Sequence, residues 1–144
     1  MKSSLVYLCQ TDTTAGFLSQ NLEALNALKN RDRLQKCLIT ISDLATLKEF
    51  VRVPKLFKNQ VRKASKTTFI YPNGKALRLI KDERHLKFLR TIKWAYSTSA
   101  NRHNQNFDLE FAKQSVDVIV DENFFQSAPS RIVKISKKRA KKIR

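Results

Sequence analysis

Apolar residues fall in short blocks separated by polar turns, and the spacing within each block names an element. Residues 4–9 (SLVYLC) are a continuous apolar run and predict a buried strand, and residues 10–18 (QTDTTAGFL) predict a polar loop. Ser19 can cap a helix that runs through Lys29, because Leu22, Leu25 and Leu28 recur three apart with Ala24 and Ala27 between them. Residues 37–41 (CLITI) predict a second strand. Ser42 and Asp43 open another helix with Leu44, Leu47 and Val51 on one face, and Pro54 ends it. Leu56, Phe57 and Val61 mark a further short helix. Two β-prone runs, residues 67–71 and 75–80, flank Asn73-Gly74, which is a hairpin signal. Residues 85–92 predict a helix with Leu86 and Leu89 inward, and residues 95–98 a strand. A short helix over 108–114 and strands over 116–120 and 131–135 complete the series. Strands alternate with helices, but an antiparallel hairpin interrupts them. That order predicts an α/β (α+β) fold, a mixed sheet with helices packed on it.

Composition adds limits. The 144 residues, 42% of them hydrophobic, make one folded domain over 1–136, followed by a basic tail over 137–144. No apolar run reaches the roughly 18 residues that span a bilayer, and the apolar start is broken at Gln10 with no cleavage site after it. These features predict a cytoplasmic protein without a membrane partner, and its size points to a monomer. Cys9 and Cys37 lie in apolar runs and read as buried thiols in a reducing compartment, rather than a disulfide or metal pair. The net charge is +17, from 29 Lys and Arg against 12 Asp and Glu, so an anionic partner is expected. With two glycines in all, neither glycine-rich phosphate-binding fingerprint is present.

Catalytic dyads are absent from the pattern. His85 and His103 are the only histidines, neither at metal-ligand spacing with Cys or a carboxylate, and no serine sits in a glycine-flanked elbow. Three polar segments remain where strands meet loops: residues 10–14, Lys29-Asn30-Arg31 with Lys36, and residues 96–101, Tyr-Ser-Thr-Ser-Ala-Asn. The last is either an ordinary turn or a set of donors aimed at a phosphate or carboxylate. Lys29, Arg31 and Lys36 either converge on one anion or form a solvated basic turn.

Taken together and in order, these segments resemble the YrdC family of threonylcarbamoyl-adenylate synthases. The family's first loop, Pro-Thr-acidic-hydroxyl ending in Gly-Leu-Gly, is similar to residues 10–18. Its Lys-x-Arg after the first helix matches Lys29-Asn30-Arg31, and the Lys-Pro-Leu that follows resembles Lys36-Cys37-Leu38. Its Pro-Gly-Pro-x-Thr segment falls on residues 64–70, its Val-Arg-Val-like strand on Leu77-Arg78-Leu79, and its Ser-Thr-Ser-Ala-Asn on residues 97–101 letter for letter. Its late Ser-Thr strand resembles residues 130–133.

The resemblance implies a twisted mixed sheet with a basic concave face. It also implies the conversion of L-threonine, bicarbonate and ATP, with Mg²⁺, into threonylcarbamoyl-adenylate and pyrophosphate for t6A modification of tRNA, alongside other proteins of that pathway. On this reading Lys29 and Arg31 are the catalytic cations on the triphosphate. Lys36, Thr68, Ser97, Ser99 and Asn101 bind the nucleotide, and Thr11, Thr13, Thr14 and Arg78 bind the threonine side. The chain departs from the family at Gln10, Ala15 and Leu18 in the first loop, at residues 64–66, where Ala-Ser-Lys replaces Pro-Gly-Pro, and at Arg131. Two other readings stand beside the synthase: a catalytically inactive YrdC-like protein that binds tRNA or double-stranded RNA, and a related carbamoyl-transfer enzyme with another acceptor.

Overall fold

The computed structural model describes residues 4–102 and 104–144, so His103 lies outside the described residues. A hairpin of β1 (Tyr7–Gln10) and β2 (Ala15–Ser19) comes first, followed by α1 (Leu22–Leu28), β3 (Leu38–Ile41) and α2 (Leu44–Phe50). A 3-10 turn (Lys55–Phe57) leads into α3 (Lys58–Lys63), then the hairpin of β4 (Thr67–Ile70) and β5 (Ala76–Leu79). The rest is α4 (Glu83–Ile92), β6 (Trp94–Ser99), α5 (Leu109–Ser115), β7 (Val118–Ile119), β8 (Arg131–Ile135) and β9 (Ala140–Lys142). One mixed sheet takes in the strands in the order β7-β1-β2-β6-β3-β5-β4-β8-β9. Parallel pairings join β1 to β7, β3 to β5 and β4 to β8, and the other neighbours run antiparallel. This is the α/β (α+β) arrangement that the alternation predicts.

Local chemistry sets the element ends. Asn21, Asp43, Asp82 and Asp108 each accept backbone N–H groups at a helix start, where four donors would otherwise be orphaned. Gly74 takes φ +84°, which the Asn73-Gly74 turn between β4 and β5 requires.

Alternation along the strands sorts their side chains between two faces. Tyr7 and Cys9 pack with Leu18, Leu86 and Leu89 on the α4 side, while Val6 and Leu8 pack with Phe17, Leu25 and Ala112 on the α1 and α5 side. Further along the sheet, Ile39, Ile41, Phe69 and Leu77 bury against Leu47, Val51 and Val61 of α2 and α3. Their neighbours Leu38, Thr68, Ile70, Ala76 and Arg78 therefore face away from α2 and α3, where a cavity opens.

Two expectations are corrected. Residues 10–18 are not one loop, because Ala15–Ser19 is a fully buried strand wedged between β1 and β6. The short apolar run Ala15 to Leu18 pairs on both sides, and only residues 11–14 turn. Ser19 is therefore in a strand, not a cap; Asn21 caps α1, and the Ser19 Oγ accepts from the Asn21 N–H. The basic tail after Ser136 is a strand extension: it turns back, with Ser136 Oγ accepting from Arg139 N–H, and pairs as β9 with β8.

Candidate functional site

The cavity encloses about 450 Å³, within the range of small-molecule sites. Its floor is the sheet face left free by α2 and α3: Thr68 and Ile70 of β4, Ala76 and Arg78 of β5, Ser97 and Ser99 of β6. One wall is the β1–β2 turn, Thr11, Thr13 and Thr14, and the facing wall is the segment from Gln126 to Ser130. Ile132 and Arg144 close one end.

Thr11 holds the turn in shape. Its hydroxyl donates to the Thr14 carbonyl at 2.7 Å and accepts from the N–H groups of Thr13 and Thr14, so three loop groups converge on one side chain. Gly16 follows because a Cβ there would stand 2.7 Å from Thr11 Cγ2. The facing wall is tied to the same turn. Asp121 accepts from Gln10 N–H, Gln10 Oε1 accepts from Phe125 N–H, and Ser127 N–H donates to the Thr13 carbonyl.

Arg78 enters the floor as one half of a buried ion pair. Arg78 Nη2 is 3.4 Å from Asp12 Oδ1, and both side chains are almost wholly buried. Burial lowers the Arg78 pKa, Asp12 opposes the shift and Arg144 adds to it. Arg78 Nε and Asp12 Oδ1 have no hydrogen-bond partner. His85, fully buried behind them with Nδ1 3.7 Å from Cys9 Sγ, is pulled to a pKa of about 4, chiefly by burial, with Asp12 opposing and Arg78 reinforcing the shift. It is neutral at pH 7.

Arg144 supplies a second guanidinium at the cavity. Its Nε donates to the Ser130 carbonyl at 2.9 Å and its Nη2 to Ser130 Oγ at 3.2 Å, and that hydroxyl lies 3.3 Å from Thr68 Oγ1. Two arginines and a ring of hydroxyls thus face one opening, and the adjacent carboxylate, Asp12, is committed to Arg78. Such a site takes a small anion or a carboxylate-bearing ligand.

The cavity brings together Thr11, Thr13, Thr14, Thr68, Arg78, Ser97 and Ser99. Lys29, Arg31, Lys36 and Asn101 stand outside its wall, and the three cations do not converge on one opening. Lys29 is buried, and its ammonium donates to the Ser99 and Asn101 carbonyls and to Asn101 Oδ1. Its three N–H groups are spent on the residue 99–101 turn. Burial, with Arg31 adding to it, lowers its pKa to about 8. Arg31 lies against the Cys37 thiol with Nε and Nη2 unpaired. Lys36 is exposed and leans over the hairpin turn, its Nζ 3.1 Å from where a Cβ on Gly74 would lie.

Neither a family model nor a curated protein matches the sequence. Solved structures do match the fold. P. abyssi Sua5, in its H234A/Y235A form, aligns with 97% of this chain and 52% of its own at a TM-score of 0.82 and 15% identity. P. abyssi Sua5 complexed with L-threonine aligns at a TM-score of 0.79, and E. coli YciO at 0.76 with 14% identity over 98% of this chain and 82% of its own. This chain has a YrdC-like fold. It spans about half the length of the Sua5 chain.

Within the YrdC-like fold, Gln126, Ser127, Pro129, Ser130 and Arg144 are the wall residues that sequence reasoning did not nominate as site residues. The local signal for Arg144 was a β-prone run, residues 131–135, then a polar turn and more chain, which is also how a basic tail looks. Among the described residues, no three His, Cys, Asp or Glu side chains gather to hold a metal, and no helix is long and apolar enough to cross a membrane.

Proposed function

We propose that the cavity forms threonylcarbamoyl-adenylate and pyrophosphate from L-threonine, bicarbonate and ATP, the activated group that t6A modification of tRNA consumes. The observation that carries this reading is the hydroxyl-lined cavity holding Arg144 and the Asp12-paired Arg78, on the sheet of a fold that Sua5, solved with L-threonine, also has. HypF, solved in a phosphate- and nucleotide-bound form, shares the fold at a TM-score of 0.74 and 14% identity.

The chemistry assigns work to each side of the cavity. Threonine's amine attacks the bicarbonate carbon and water leaves, giving a carbamate. A carbamate oxygen then attacks the α-phosphorus, and the bond to pyrophosphate breaks. Arg78 meets the threonine carboxylate, and the threonines of the β1–β2 turn supply hydroxyls around it. Arg144, with Thr68, Ser97 and Ser99, meets the phosphates, where charge builds as pyrophosphate departs. Lys29 acts from behind the wall by fixing the turn over residues 99–101. Arg31 and Lys36 reach the triphosphate only if these side chains reorient. Mg²⁺ belongs to the substrate here: the wall offers hydroxyls but no uncommitted carboxylate, so the ion enters on the phosphates of ATP.

Pyrophosphate release from MgATP and bicarbonate, with and without L-threonine, tests the reading. Threonine-dependent release that falls about a hundredfold in Arg144→Ala supports it. A folded wild type that releases none sinks it. One observation favours the alternative of an RNA-binding protein that keeps the fold without the reaction. Residues 137–142 form an exposed edge with Lys137, Lys138, Arg139, Lys141 and Lys142 outward. In that case RNA affinity survives Arg144→Ala, and adenylate is never made.

A further inference from the structure

A second, larger cavity of about 600 Å³ lies across the molecule from the first, between α2 and α3. Its accessible apolar floor is Leu44 and Val53, both half-buried, over the core residues Leu47, Val51 and Val61, which are 1%, 6% and 2% exposed. Its rim carries four exposed cations, Lys48 and Arg52 on one side and Lys58 and Arg62 on the other. Among the described residues none of the four is in an ion pair with a carboxylate. Residues 48–66 hold seven Lys or Arg against one acid, Glu49, which faces the adjoining groove. Like charges gathered on one rim repel each other, and among the described residues no carboxylate pairs with them.

We propose that this cleft docks an acidic amphipathic segment of a partner protein, apolar side chains seated on the floor and carboxylates on the rim. Charge complementarity selects this occupant. A second copy of the chain would bring the same four cations against these four. A nucleic acid would use the rim and leave the apolar floor wet. A membrane needs apolar side chains that protrude, whereas these are recessed between two helices. A peptide in a groove uses both features at once. The proposal is independent of the reaction assigned to the first cavity.

The test is binding of the fluorescein-labelled peptide EELLEEFLEE to the full chain, read by anisotropy. The expected result is saturable binding that weakens about tenfold or more with the glutamine peptide QQLLQQFLQQ, with the serine peptide EESSEESSEE, and in the Lys58→Glu/Arg62→Glu variant. The milder Lys58→Gln/Arg62→Gln variant, with wild-type circular dichroism and melting, gives a smaller loss and shows that the loss is not unfolding. Methyl shifts of Leu44, Val53 and Val61 on titration place the peptide in the cleft. The proposal is overturned by no binding, by equal binding of EESSEESSEE and displacement by polyuridylate (a general polyanion surface), or by binding that ignores the rim variants.

Discussion

A lysine ammonium has three N–H groups, and Lys29 gives them all to one turn. Because its folded pKa, about 8, lies below the ordinary 10.5, the unfolded chain holds the proton more tightly. Stability linked to Lys29 therefore rises as pH climbs from 8 to 10.5. Comparing melts of wild type and Lys29→Met across that window should show the wild type gaining on the order of 1–3 kcal/mol. Burial of Cys9 and Tyr71 raises their pKa values and works the other way, but equally in both proteins. His85 gives a separate acid signature. Its depressed pKa leaves the unfolded state holding more protons between pH 6.5 and 4, so stability falls through that range, and His85→Gln should flatten the fall. The Arg78–Asp12 pair is a third case. Asp12→Asn leaves a buried guanidinium uncompensated and should cost about 3–5 kcal/mol in denaturant unfolding, as should Arg78→Ala. The double variant should cost clearly less than the sum.

At the scale of elements, the β1–β2 turn is the sharpest device. Gly16→Ala pushes a Cβ into Thr11 Cγ2, and Thr11 cannot rotate away without releasing three hydrogen bonds. The expected outcome is a loss of about 1–3 kcal/mol in thermal melts and, on the proposed function, weakened L-threonine binding by calorimetry. This hairpin also marks where the sequence was hardest to read. The helix at Glu83–Ile92 has its inward leucines three apart and an aspartate cap, signals carried within a few residues. The strand Ala15–Ser19 has no alternation, because it is buried on both faces between two partners, one of them some eighty residues away. Its small and apolar residues look like loop filling until β6 is beside them. Strand β9 is hidden for a related reason: Lys141 and Lys142 are exposed edge residues, with the composition of a solvated tail. Where motif and strand coincide, at Ser97, Ser99, Arg78 and Thr68, the residues that the motifs single out line the cavity. Lys29 stands outside it, because its ammonium is held by two backbone carbonyls and the Asn101 side chain, and the two carbonyls are partners that no side-chain pattern reveals.

Across the whole molecule, the charge of +17 makes salt the natural way to separate the two proposed readings. An RNA contact spread over six to ten phosphates should lose about a thousand- to a hundred-thousandfold in affinity between 50 and 200 mM salt. Adenylate formation in the cavity, which draws on Arg78 buried against Asp12 and on a single exposed cation, Arg144, should change far less over the same range. Activity and RNA affinity measured on one salt series should therefore diverge if the cavity is catalytic, and a pyrophosphate release that collapses in step with RNA binding would argue that the exposed cations carry both.

The two walls of the first cavity come from opposite ends of the chain, Thr11 to Thr14 and Gln126 to Ser130, and β1 pairs with β7 more than a hundred residues away. Closing so long a loop costs entropy before any contact repays it, so the chain should fold on the slow, millisecond-to-second side of small domains. No early, locally folded fragment can contain the pocket. Ligand should then leave the refolding rate unchanged and slow only the unfolding arm of the chevron, because it binds a surface that exists only after the last strands have docked.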